Sequence, residues 1–93
     1  MRLRIGEPLR AGDTDIEPGA YDVTVDEEAS TIVLSRDGAE PVRLAALARA
    51  SKAKVAKPAV RLRDTGDESR HLLVARKPPA DEWVVALYAR APR

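Results

Sequence analysis

Short runs of alternating polar and apolar residues, each closed by Gly, Pro or Asp, make up most of this chain. Arg2, Leu3, Arg4 and Ile5 alternate as a short half-buried strand does, and Gly6, Pro8 and Gly12 then break the pattern, so a loop is expected to follow. Pro18 and Gly19 lead into residues 20–26, AYDVTVD, where Tyr21, Val23 and Val25 face one way and Asp22, Thr24 and Asp26 the other. A short polar connection, Glu27, Glu28 and Ala29, joins this run to residues 30–36, STIVLSR, which end at the turn pair Asp37-Gly38. The two runs predict a hairpin in which Ile32 and Leu34 share the buried face with Tyr21, Val23 and Val25, leaving Thr31, Val33 and Ser35 outward.

Residues 41–57 satisfy two patterns at once. Val42, Arg43 and Leu44 alternate, while Leu44, Leu47 and Ala48 also fit helical spacing in an Ala-rich stretch. A strand over residues 42–47, then an irregular lysine-containing segment, continues the antiparallel sheet most economically; the alternative is an α+β chain with one short helix around residues 42–54. After Pro58, Val60 and Leu62 alternate with Arg61 and Arg63 as far as the turn Asp64-Thr65-Gly66-Asp67-Glu68.

The return strand, residues 69–76, is apolar at four consecutive positions, Leu72, Leu73, Val74 and Ala75, which predicts a central strand covered on both faces. Lys77-Pro78-Pro79 forces the chain to turn. Residues 82–89 then form the most apolar strand, with Trp83, Val85 and Leu87 on one face and Val84, Ala86 and Tyr88 on the other. The expected fold is all-β, a small antiparallel β-sandwich or barrel of about six or seven short strands built from hairpins, in one domain spanning residues 1–93.

Composition narrows how such a fold is held. A chain of 93 residues cannot supply a second core, and with no Phe, one Trp and two Tyr the core must come from Val, Leu and Ile. The absence of Cys excludes disulfide stapling, thiolate catalysis and thiolate metal sites. No apolar run approaches the ~20 residues needed to cross a bilayer, so membrane insertion is not expected. The first residues, MRLRIGEPLRAGD, hold no long hydrophobic stretch, which makes a cytoplasmic location the expectation; a secreted chain whose leader had been removed would read the same way.

The chemistry of catalysis is mostly missing. The single histidine, His71, lies two residues after Ser69 on one strand, so the two side chains point the same way roughly 6–7 Å apart, too far for a preset nucleophile–base bond. A strand histidine at a rim is expected instead. Asp13, Asp15 and Glu17 resemble the opening of a calcium loop, but Pro18 stands where that loop needs Gly, and Thr24 where it needs a bidentate carboxylate. Asp26, Glu27 and Glu28 fall at a hairpin tip without an apolar pocket, and no Gly-rich phosphate-binding turn occurs. No catalytic residue, metal or cofactor is expected, and the chain is not expected to be an enzyme.

Charge is the feature left over. Residues 1–40 carry ten acids against Arg2, Arg4, Arg10 and Arg36, a balance of −6, whereas residues 41–93 carry twelve bases against five acids, a balance of +7. Arg43, Arg49, Lys52, Lys54, Lys57, Arg61 and Arg63 follow one another with no acid between them and form the candidate binding set. The expected function is a non-enzymatic binding or assembly module, its partner an unidentified protein or a second copy attracted by opposite charge. The alternative is a nucleic-acid-binding domain using the basic segment 43–63. That segment contains no Tyr or Trp on which a base could stack, which counts against it.

Overall fold

The computed structural model describes residues 1–66 and 70–90, with every side chain among them except that of Asp64. Among the described residues ten strands follow in order: β1 (Arg2–Ile5), β2 (Leu9–Ala11), β3 (Thr14–Ile16), β4 (Gly19–Asp26), β5 (Thr31–Ser35), β6 (Val42–Ala45), β7 (Leu47–Ala50), β8 (Ala59–Asp64), β9 (Arg70–Lys77) and β10 (Asp81–Ala89). No helix occurs among the described residues. The strands form two antiparallel sheets, a four-stranded one in the order β1-β4-β5-β6 and a six-stranded one in the order β3-β2-β10-β9-β8, with β7 also paired to β10.

In the four-stranded sheet the register puts Leu3 opposite Tyr21, Val23 opposite Leu34, and Val25 opposite Ile32 and then Leu44. Residues directly opposite in an antiparallel pair project to the same face, so these rows form one apolar surface. The six-stranded sheet answers with Leu9, Ile16, Leu73, Ala75, Trp83, Val85 and Leu87, and the two surfaces close into one continuous core. Nearly all of it is branched aliphatic, as a chain without Phe requires. Tyr21 reaches through it to donate its hydroxyl to the Glu17 carbonyl at 2.5 Å, and its ring carries the Arg36 guanidinium 5.2 Å from the centroid.

The hairpin of residues 20–36 and its buried face are as the alternation predicts. Two boundaries differ. The stretch after Gly6, expected to be a loop, folds into β2 and β3, joined by the two-residue turn Gly12-Asp13. Gly12 has φ +59°, as the first central position of a type II′ turn demands. The strand expected over residues 42–47 is broken at Ala46, with β6 pairing β5 in one sheet and β7 pairing β10 in the other. Ala46 donates its N–H to the Ser30 carbonyl at 2.8 Å while packing against the core, and the chain changes sheets there. These two departures account for most of the difference between the expected strand number and the ten observed.

β9 is central as predicted, flanked by β8 and β10, with Leu73, Val74 and Ala75 buried. Val74 is buried on the side away from the core. That opposite side of the six-stranded sheet is where apolar and basic side chains meet.

Candidate binding face

The register of the six-stranded sheet fixes which side chains meet on its outer face. Reading across the strands, four rows lie along β10: Arg49–Glu82–Arg76–Ala59, Leu47–Val84–Val74–Arg61, Ala86–Leu72–Arg63 and Arg10–Tyr88–Arg70. An apolar floor of Val74, Val84, Leu72 and Ala86 is therefore bordered by guanidinium groups. Among the described residues no second layer covers it, and Tyr88 and Leu47 are 47% and 65% exposed.

The charge on this face is one-sided. Arg10 is taken by Asp15, Nε to Oδ1 at 3.0 Å, and Arg49 and Arg76 flank Glu82, with Nε to Oε1 at 3.1 Å and Nε to Oε2 at 3.5 Å. Arg61, Arg63 and Arg70 are exposed and make no ion pair with a described side chain. Among the described residues Glu82 is the only buried polar or charged one, and the two guanidiniums beside it offset the cost of burying its charge. The Arg49–Glu82 end of the face opens into a cleft of about 350 Å³, lined also by Ser51, Lys52 and Arg63.

The basic set read from the sequence is divided by the fold. Arg49, Arg61 and Arg63 stand on this face. Lys52, Lys54 and Lys57 are exposed on the connection from β7 to β8, which is pinned to the turn before β10 by Ser51 N–H to Ala80 carbonyl at 2.7 Å and Val55 N–H to Pro79 carbonyl at 2.8 Å. Arg43, opposite Val33, belongs to the four-stranded sheet and borders a separate cleft with Thr14 and Ala86. In exchange the face gains Arg10, Arg70, Arg76, Glu82 and Tyr88, all of them outside the basic segment. A signal for the last four is present in the sequence: once residues 69–76 and 82–89 are paired as a hairpin, Arg70, Arg76, Glu82 and Tyr88 fall in phase with Leu72, Val74, Val84 and Ala86.

The acids of the first half are partly neutralised inside the molecule. Asp15 and Glu17 meet Arg90 at 3.6 and 3.0 Å, Glu27 meets Lys77 at 2.6 Å, and the Glu7 carboxylate lies 3.0 Å from His71 Nε2. His71 is largely enclosed at the rim beside Glu7, and Ser69 lies outside the described residues. Asp26, at the hairpin tip, accepts the Ala29 N–H at 3.2 Å. Among the described residues no three His, Asp or Glu side chains group as a metal site would, and no helix is long and apolar enough to cross a membrane.

Comparison with known proteins finds no matching family model, no matching curated protein and no matching solved structure.

Proposed function

We propose that this domain is a non-enzymatic binding module whose contact surface is the outer face of the six-stranded sheet, and that its partner is a single-stranded nucleic acid. The observation that carries the proposal is Tyr88, an exposed aromatic ring set directly between Arg10 and Arg70 in one cross-strand row. Strands lie about 4.8 Å apart, so a base stacked on that ring leaves a flanking phosphate within reach of Arg70, the neighbouring guanidinium that no described side chain pairs. Arg61 and Arg63 extend the same edge with charge that no described side chain neutralises. One exposed aromatic ring beside arginines on an open sheet suits sequence-tolerant recognition of a flexible strand, since every base has a π-face and every nucleotide a phosphate.

Self-association through opposite charge draws less support. Asp15, Glu17 and Glu27 already hold Arg10, Arg90 and Lys77 within the same molecule, which leaves Asp13, Glu28, Asp37 and Glu40 as the exposed first-half acids without an ion pair to a described side chain. The deciding experiment is fluorescence anisotropy with labelled 12-nucleotide DNA and RNA strands at low and moderate salt, alongside a sulfated polysaccharide of similar charge. Strand binding that falls steeply with salt and exceeds polysaccharide binding supports the proposal. Equal binding of both polyanions removes the role of Tyr88, and no retention at low salt removes the proposal.

A further inference from the structure

The cleft at the other end of this face has a construction of its own. Glu82, with its side chain 5% exposed, contacts two arginines from neighbouring strands, in each case through Nε: Arg49 from β7 and Arg76 from β9. Two guanidiniums brought together from neighbouring strands repel one another, and the buried carboxylate between them offsets that repulsion. Gripped by the Nε side, each keeps its terminal nitrogens free of any described partner, and the pair is held by β-sheet register instead of by a loop. The contact is not fully closed, because Arg76 Nε and Glu82 Oε2 are both buried and neither completes a hydrogen bond. Lys52 and Arg63 complete the lining, so four cations surround one anion in a space of about 350 Å³.

We infer that this cleft is an oxyanion site for a phosphomonoester, with Arg49, Arg76, Arg63 and Lys52 as its donors and Glu82 as the residue that positions the first two. A guanidinium fork matches the spacing of two oxygens on a phosphoryl group, and a pre-set pair of forks recognises the group with little further loss of side-chain entropy. The volume exceeds that of a bare phosphate, which leaves room for the first atoms of the esterified group. Tyr88 takes no part, as it stands further along β10, beyond Val84 and Ala86.

The test is a titration of the isotope-labelled chain with inorganic phosphate, phenyl phosphate and acetate at matched ionic strength, following the backbone amides of residues 49–53, 63, 76 and 82. Saturable shifts confined to those amides, with phenyl phosphate at least as tight as phosphate and acetate about tenfold weaker, support the site. Shifts that are absent, unsaturable or spread over the other sheet overturn it. Arg63→Ala and Lys52→Ala change exposed side chains without an ion pair to any described residue, so each should weaken phosphate several-fold at unchanged melting temperature. Unchanged affinity in both overturns the donor assignment.

Glu82→Gln separates positioning from simple field effects. Removing a negative charge from among cations should tighten anion binding by Coulomb's law alone, whereas loss of the anchor for Arg49 and Arg76 should weaken it. Weaker phosphate binding is expected, and tighter binding overturns the role given to Glu82. An oligonucleotide with and without a 5′-phosphate identifies the source of the group: tighter binding of the phosphorylated strand assigns the cleft to a strand end, and equal binding alongside retained phenyl phosphate affinity assigns it to a small phosphoester. Tyr88→Ala should leave the phosphate titration untouched, so failure of the strand proposal and failure of this one are read separately.

Discussion

Tyr88 and Arg70 stand directly opposite one another across the β9–β10 pairing, on the outer face of the six-stranded sheet. The ring projects from the end of a long strand whose other side is packed into the core through Trp83, Val85 and Leu87, so the backbone that carries it is anchored.

Replacing Tyr88 by Ala should therefore weaken strand binding by roughly 5- to 100-fold, the worth of one stacked base, while the melting temperature moves little because the side chain is about half exposed. Anisotropy titration beside a thermal melt checks both halves. A large loss of stability with unchanged binding would make Tyr88 a packing residue.

Arg61, Arg63 and Arg70 are expected to act through charge. Each change to Ala should lower the slope of log affinity against log salt by about 0.7 for every single-strand phosphate that its guanidinium neutralises, with affinity falling by a similar factor for every base sequence. Arg43→Ala, on the other sheet, should leave that slope unchanged. Salt titrations of the four variants measure this directly.

Trp83 is the only tryptophan and is 5% exposed. Its native fluorescence should be poorly quenched by acrylamide and become readily quenched on unfolding in urea. Ready quenching of the native chain would put the indole in solvent and undo the packing of β10 against the core.

Leu34 is fully enclosed between the sheets, and Leu47 is 65% exposed. Leu34→Ala should cost about 2–5 kcal/mol in urea unfolding, from reduced burial and the cavity left behind, whereas Leu47→Ala should change stability by no more than about 0.5 kcal/mol. Similar values for the two would contradict the placement of the core.

Much of the fold is legible in the sequence because alternation is a local signal. Tyr21, Val23 and Val25 against Ile32 and Leu34 need only period two and a short connection, and the burial of Leu73, Val74 and Ala75 follows from an unbroken apolar run. The β2–β3 hairpin escapes the pattern because Gly12-Asp13 sits among Gly6, Pro8 and Pro18, where turn residues outnumber apolar ones and each strand has only three residues. The break at Ala46 leaves no mark in the pattern, since alanine suits either sheet and the reason for the switch is the pairing partner on each side. The binding face is the least legible. Glu82 reads as a strand terminus and Arg76 as a solvated end, and only the register that sets them opposite each other turns two isolated charges into a buried cluster.

The crossing at Ala46 binds the fate of the two sheets together. β6 closes one edge of the four-stranded sheet and β7 pairs with β10 in the other, with a single residue between them, so neither sheet can peel away without dragging a strand out of its neighbour. Amide protons of β5 and of β10 should accordingly share one opening free energy in native-state hydrogen exchange, and the domain should unravel as a single unit instead of one layer at a time.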